Sequence, residues 1–250
     1  MSSVLTLIPY ASLISLVLAW VGVILFCSMM YQGVNASVEQ TRRLLTADLP
    51  WLDSILVTFV TVAVVMFLLA LVLLVVGALA TGATRTRVYS GWKASLGGRV
   101  SCAIFLVLTY LLNLLWLAVL SLSVVLCFVY LIFQSLCTSV SSTQCLNFTV
   151  LTPILYANAS QSELVLCGSK LQEFCGLTET ASTWYYVSYF GSVIVVLGLI
   201  HFMICLAANY AHIKDGSKYE ELQEIWQLDE QQANPSGHSF ILKSVRQPKY

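Results

Sequence analysis

The sequence predicts an all-α membrane protein, a bundle of four transmembrane helices with a small disulfide-stapled extracellular loop. Three observations predict it. Hydrophobic residues make up 58% of the 250 residues and charged residues only 10%, whereas soluble domains carry about 25% charge. The charges leave four long gaps, each longer than the ~20 residues that a helix needs to cross the hydrocarbon core. Four of the eight cysteines fall together between the last two hydrophobic runs.

The charge-free gaps define the predicted spans. No Lys, Arg, Asp or Glu lies in residues 1–38, 54–84, 100–162 or 180–213, whereas a soluble helix carries charged and polar residues on its solvent face. Zero net charge also excludes a basic nucleic-acid binder. We predict the following segments: cytoplasmic N-terminus 1–10, first span 11–31, first extracellular loop 32–54, second span 55–79, basic cytoplasmic loop 80–101, third span 102–133, large extracellular loop 134–184, fourth span 185–211 and cytoplasmic tail 212–250.

Each span has its own signature. Pro9 precedes the first span, where a missing amide costs little; a signal peptide is disfavoured because the N-terminus lacks Lys and Arg and no cleavage site follows. The second span has no strong helix breaker. The third stays apolar to Leu136, longer than the bilayer needs, so it should tilt or project. An aromatic collar marks the start of the fourth, typical of a membrane interface: Trp184, Tyr185, Tyr186 and Tyr189.

Basic residues orient the chain. The loop at 80–101 contains Arg85, Arg87, Lys93 and Arg99 and no acidic residue. Because positive charge in short loops marks the cytoplasmic side, this loop and both termini are predicted to be cytoplasmic. Three N-x-[ST] sequons agree, since all fall in loops assigned to the outside. The predicted glycosylation sites are Asn35, Asn147 and Asn158.

The cysteines divide into two groups. Cys137, Cys145, Cys167 and Cys175 share the large extracellular loop, where an even number predicts two disulfides with three alternative pairings. Zinc is disfavoured because no CxxC pair exists and the compartment is oxidising. The other four cysteines lie in or beside spans, and those nearest the cytoplasmic boundary are predicted palmitoylation sites: Cys102 and Cys205.

The spans carry no recognisable catalytic, metal or cofactor site. They contain no carboxylate or Lys, and ionisable groups within a membrane are the usual mark of function. His201 and Asn113 are predicted to form hydrogen bonds between helices. Six small residues suit close helix contact, although such residues are frequent in any span: Gly77, Ala78, Thr81, Gly82, Gly191 and Gly198. We therefore predict a non-enzymatic protein without cofactor or metal.

The tail contains one predicted amphipathic helix. Ser217 has capping-box spacing to Glu220, and an apolar face follows. One alternative is an isolated solvated helix, but a cytosolic partner helix is favoured over the membrane surface because the acidic residues would be repelled by an anionic leaflet. The first four residues of the face also match a Tyr-x-x-apolar sorting pattern. The predicted sorting or partner motif is Tyr219, Leu222, Ile225 and Trp226.

Several short motifs follow one another along most of the chain: Pro9-Tyr10-Ala11-Ser12-Leu13, Gly22-Val23, Leu25-Phe26-Cys27, Thr81-Gly82-Ala83, Gly98-Arg99, Leu108-Thr109-Tyr110-Leu111, Trp116-Leu117, Cys167-Gly168-Ser169 with Cys175, Ala208-Asn209-Tyr210-Ala211, Lys214-Asp215 and Lys218-Tyr219-Glu220. In their order and spacing they resemble the myelin proteolipid protein family, most closely its neuronal membrane glycoprotein branch.

The resemblance implies a four-span plasma-membrane glycoprotein with both termini in the cytosol and nested disulfides, Cys137 with Cys175 and Cys145 with Cys167. It also implies a non-enzymatic organiser of membrane. Such a protein associates with membrane lipids, including cholesterol, and supports myelin compaction, neurite and filopodium growth, or cell junctions. The expected partners are other membrane or junction proteins at the outer loop and cytosolic proteins at the tail. Self-association into homo-oligomers stays open.

Two departures qualify the resemblance. The family's cysteine-rich N-terminus is absent, since residues 1–8 contain no Cys, and so is the long cytoplasmic insertion of the myelin form. These departures favour the glycoprotein branch or an invertebrate relative. The alternatives are a tetraspanin-like scaffold, which should carry Cys-Cys-Gly, a claudin-like barrier protein, which should carry its cysteine pair in the first outer loop, and a channel or transporter subunit.

Overall fold

A computed structural model describes residues 10–45, 52–80, 99–140, 145–147 and 165–233. Within them lie four helices, α1 (Tyr10–Leu45), α2 (Leu52–Ala80), α3 (Arg99–Ser139) and α4 (Ser169–Ala233), and two strands, β1 (Cys145–Asn147) and β2 (Val165–Cys167). Each helix contains a stretch long and apolar enough to cross a membrane. The predicted four-span helical bundle is confirmed. We call the end with the strands the hairpin end, and the end from which α4 continues to Ala233 the tail end.

α4 and α1 form the centre of the bundle. α4 packs along both α1 and α3, and α2 packs mainly on α1. In the most apolar stretch of each helix, 44% of the residues of α1 and α4 are buried, but only 17% of those of α2 and α3. α2 and α3 therefore present most of their aliphatic surface outward, as expected of helices in lipid, where packing rather than hydrophobicity holds helices together.

A close crossing joins α1 to α4. We call it the glycine seam, and its members are Gly22, Gly191 and Gly198. A Cβ added at Gly191 would lie 2.6 Å from the backbone N of Phe26, and one added at Gly22 would lie 2.7 Å from the backbone N of Val195. These distances leave no room for a side chain, so the two backbones touch only because glycine lacks one.

Aromatic and sulfur contacts fill the rest of the membrane core. Phe26 meets Trp116 edge to face, with ring centroids 5.1 Å apart, and the indole Nε1 of Trp116 donates to Met66 Sδ at 3.3 Å. Trp20 stacks on Phe67 at 4.8 Å. These contacts connect α2 to α1 and α3. Each aromatic pair adds ~0.5–1.5 kcal/mol of stabilisation beyond that of its buried area.

The helices extend beyond several predicted spans. α2 starts and ends within three residues of the prediction, but α1 continues through residues 32–45, which we predicted as loop, and α4 includes residues 169–184 and 212–233. The reason at the hairpin end is packing: Val38, Gln40, Leu171 and Phe174 are all at least nine-tenths buried. The helices continue at this end because neighbouring helices bury these side chains. The length of a segment without charged residues gives no information about such packing.

Candidate functional site

A disulfide-linked cap closes the hairpin end. The strands pair antiparallel, with Cys145 opposite Cys167. The structure joins these two cysteines by a disulfide, and joins Cys137 of α3 to Cys175 of α4 by another, with Cα atoms 5.7 Å apart. This is the nested arrangement that the resemblance implied. The second bond ties the outer turns of α3 and α4 together, so the hairpin stands on a fixed base.

The cap has a small apolar core. Leu146 and Leu166, directly opposite each other in the hairpin, are buried against Leu171 and Phe174 of α4. Phe174 also meets Phe133 of α3, with centroids 5.7 Å apart. Residues 148–164, the tip between the strands, lie outside the described residues, but both of their flanks are anchored by this core and its disulfide.

The turn from hairpin to helix requires glycine. Gly168 has φ +58°, a left-handed conformation that costs other residues about 1 kcal/mol or more. Its carbonyl accepts a hydrogen bond from the backbone N of Gln172 at 3.2 Å. The chain can therefore pass from Cys167 into α4 within one residue.

Below the cap, a polar cluster joins three helices. Its members are Ser37 and Gln40 of α1, Tyr130 of α3, and Thr178 and Tyr185 of α4. The Tyr130 hydroxyl donates to Ser37 Oγ at 2.6 Å and lies 3.1 Å from Gln40 Oε1. Gln40 Nε2 donates to Thr178 Oγ1 at 2.8 Å, and Ser37 Oγ lies 2.6 Å from the Tyr185 hydroxyl. A satisfied buried cluster fixes the relative rotation of three helices, because any slip would leave polar atoms unpaired.

We expect Gln40→Ala to lower the free energy of unfolding by about 1–3 kcal/mol, since it removes partners of Tyr130 and Thr178 inside a buried cluster. Thermal unfolding of the detergent-solubilised protein would measure this. Gln172→Ala, an exposed change at the same end, should stay within about 0.5 kcal/mol. Equal effects of the two substitutions would contradict the assigned role of Gln40.

Ion pairs rim the polar cluster. Arg43 Nε donates to Glu39 Oε1 at 2.7 Å, and the same guanidinium pairs with Glu173 of α4. All three side chains are close to half exposed, so each pair contributes little to stability. Their effect is to give the rim of the cap a mixed, hydrophilic surface.

The predicted glycosylation sites fall in different settings. Asn35 is exposed but lies within α1, and the hydroxyl of its sequon partner Ser37 belongs to the polar cluster. Asn147 is exposed at the end of β1. Asn158 lies outside the described residues. Glycosylation at all three stays a prediction.

The membrane-embedded polar residues behave differently from one another. His201 Nδ1 of α4 lies 2.9 Å from Ser15 Oγ of α1, which confirms the predicted interhelical bond. Asn113 is 6% exposed, and its Oδ1 has no hydrogen-bond partner within the described part of the chain, so the predicted bond is not formed at this atom.

Cys102 is buried beside Tyr210. Cys205 is half-buried, with its thiol 3.7 Å from His201 Nδ1. Palmitoylation of these cysteines stays a prediction.

The tail end carries an exposed apolar face. We call residues 212–233 of α4 the tail helix. Within it, Leu222, Ile225 and Trp226 are 54%, 60% and 75% exposed. At 100° per residue these three share one side of the helix. Tyr219, the fourth member of the predicted motif, belongs to the helix, but its side chain lies outside the described residues. Three large apolar side chains together at such exposure form a candidate interaction surface, and the predicted sorting or partner motif stays a prediction.

Sequence reasoning missed several of these residues. Nothing in the sequence singled out Gln40 or Tyr130 as partners, because they come from different helices. A row of fully buried small polar residues on α4 also went unnoticed: Thr178, Ser182, Ser188 and Ser192. Their spacing of four or six residues on one helix face was the available signal. No group of three His, Cys, Asp or Glu side chains within the described ranges could hold a metal ion.

The chain resembles known proteins over most of its length. Residues 1–218 match the family model for myelin proteolipid protein (PLP or lipophilin). The chain is 30% identical to neuronal membrane glycoprotein M6-b from Mus musculus over 242 residues, covering 90% of this chain and 73% of that protein. It is 25% identical to M6-a from Homo sapiens over 90% of this chain and 85% of the relative. It is 26% identical to proteolipid protein DM beta from Squalus acanthias, with the same coverage. No solved structure matches it.

Proposed function

The chain belongs to the myelin proteolipid protein family, and from this membership we propose that it is a non-enzymatic glycoprotein that organises the plasma membrane. In this function the hairpin end is extracellular and contacts other membrane or junction proteins. The tail end is cytoplasmic and binds cytosolic proteins. The outcome for the cell is support of cell contact and of neurite, filopodium or junction formation.

One observation carries the proposal: a single helix, α4, belongs to both candidate interaction surfaces. It begins at Ser169, directly after the cap hairpin, contains Cys175 of the cap disulfide, crosses the bundle and ends at Ala233 beyond the exposed Trp226. A continuous helix has no flexible connection between the two surfaces. An outer contact and an inner partner can therefore be held in one mechanical unit.

The topology is testable directly. We expect a tag inserted after Gly91 to bind antibody only in permeabilised cells, because the loop around it carries basic residues and no acidic ones. Glycosidase treatment should lower the apparent mass, and Asn147→Gln together with Asn158→Gln should reduce that shift. Antibody binding to the tag on intact cells would contradict the orientation.

The function is tested at the tail helix. Trp226→Ala and Leu222→Ala should each remove about 1.5–3 kcal/mol of binding free energy, since each side chain would be buried against a partner. Affinity purification from native cells should then lose tail-dependent partners, and protrusions or junctions should diminish, at unchanged surface expression. Gln227→Ala is the matched control, because Gln227 is also exposed but lies away from the apolar face.

Tyr219→Ala separates sorting from binding in the same cells. Slower internalisation with partners retained would identify Tyr219 as part of a sorting signal. Loss of partners would identify it as part of the binding face. If removal of all residues after Ser217 changes neither partners, uptake nor cell shape, the tail has no part in the function and the proposal is wrong there.

A further inference from the structure

The apolar face of the tail helix is exposed in the described part of the chain. Leu222, Ile225 and Trp226 are each more than half exposed, and burying side chains of this size is worth about 1.5–3 kcal/mol each. No described residue from another helix covers them. Since the same face is the proposed binding surface, what occupies it before a partner arrives determines how readily that partner binds.

The bilayer and a second copy are poor occupants. Trp226 lies sixteen residues beyond Tyr210 on one continuous helix, which places it roughly 24 Å farther along the axis, too far for it to lie in the interface beside Tyr210. Charge disfavours a parallel second copy. Residues 217–233 contain one basic residue, Lys218, against five acidic ones, and like charges held side by side destabilise an assembly. The occupant should therefore be basic as well as apolar.

The chain itself continues into such a segment. Residues 234–250 contain no acidic residue, three basic residues and a run of large apolar ones. The basic residues are Lys243, Arg246 and Lys249, and the apolar ones are Phe240, Ile241, Leu242 and Val245. Asn234-Pro235 and Ser236-Gly237 come between the helix and this run, and such pairs favour reversal of the chain direction.

The connection is long enough. Trp226 and Leu222 lie roughly 10 and 16 Å back from Ala233, the last residue of α4. The six residues 234–239 can extend to roughly 20 Å. The run that starts at Phe240 can therefore reach the whole apolar face while its basic residues meet the acidic side chains around it.

We propose that residues 238–246 fold back along the tail helix of the same chain and cover Leu222, Ile225 and Trp226 until a cytosolic partner displaces them. The segment supplies apolar side chains for the face and cations for its acidic border. This inference rests on the proposed function only in treating the tail helix as a binding surface.

Photocrosslinking of the purified full-length protein tests the fold-back contact without any cellular partner, so its failure leaves the test of function above intact. A benzoylphenylalanine residue replaces Trp226, and the crosslinked peptides are mapped by mass spectrometry. We expect crosslinks to residues 238–246 of the same chain. The same probe at Gln227, away from the face, should give several-fold fewer of them.

Two variants and a salt series identify the forces. Phe240→Asp with Leu242→Asp should reduce the crosslink several-fold, and Lys243→Glu with Arg246→Glu should reduce it at low salt, whereas Lys243→Arg should not. Raising the salt from 0.15 M to 1 M shortens the screening length from about 8 Å to about 3 Å and should lower the yield. Crosslinks that instead reach residues 81–98, detergent or lipid, or a differently tagged second copy would overturn the proposal, as would equal yields from the two probe positions.

Discussion

Gly191→Ala is expected to destabilise the bundle, although alanine is the better helix former by about 1 kcal/mol. The added Cβ would lie 2.6 Å from the backbone N and 3.0 Å from the Cα of Phe26. Backbone cannot rotate away as a side chain can, so α1 and α4 must separate along the glycine seam. Overpacking of this kind costs about 1–3 kcal/mol, and Gly191→Leu should cost more. Thermal unfolding in detergent and the surface level in cells measure the effect.

The same substitution elsewhere on α4 provides the control. Gly176 is exposed, and a Cβ placed there would meet nothing within 4 Å. Gly176→Ala should therefore raise the unfolding midpoint through helix propensity alone. If both substitutions raise it, the close approach of α1 and α4 is wrong. Opposite signs would support the close approach of α1 and α4 at Gly191.

Loss of a cap disulfide is the second large effect that we expect. The bonds join cysteines 22 and 38 residues apart, and in the chain-entropy model closing loops of these lengths contributes about 3–4 kcal/mol each. Cys145→Ser should remove that stabilisation from the hairpin, leave Cys167 with an unpaired thiol, and retain the protein inside the cell. Glycan maturation and surface biotinylation would report the retention.

Peptide mapping without reduction tests the pairing itself. The wild-type protein should give one peptide containing Cys137 with Cys175 and another containing Cys145 with Cys167. Cys205→Ser should change neither, since Cys205 lies outside the cap and forms no disulfide. Links between Cys137 and Cys145, or between Cys167 and Cys175, would mean that the hairpin is not built on a nested pair.

The spans could be predicted from the sequence because charged side chains are costly in lipid, so each span shows as a long segment without them. α2, the most apolar helix, starts and ends close to the prediction for that reason. The hairpin end could not be predicted in this way. Residues 32–45 are polar enough to suggest a loop, and they are helical because Gln40 and Ser37 find partners on α3 and α4. Those partners lie 90 or more residues away in the chain.

In the candidate site, too, local sequence features could be predicted and long-range contacts could not. The sequence groups the four cap cysteines together, but spacing alone leaves three pairings open, and only the family resemblance implies the nested one. The three-residue strands are too short to show a pattern. On α4, the sequence predicts close contact at Gly191 and Gly198, whereas the opposing Gly22 and the buried serines are evident only in the packed bundle. The apolar face of the tail helix was readable because it depends on local spacing alone.

The pairing of α1 with α4 also imposes a delay during biosynthesis, between synthesis of α1 and synthesis of its partner. α1 is complete at Leu45, but α4 does not begin until Ser169. At about 5–20 residues per second, the ribosome needs roughly 6–25 s to supply the partner. Throughout that interval the seam surface of α1 lacks its partner α4, and Gln40 lacks its hydrogen-bond partner Thr178. A chain that stops before α4 therefore leaves Gly22 and the Gln40 amide without the contacts that α4 supplies.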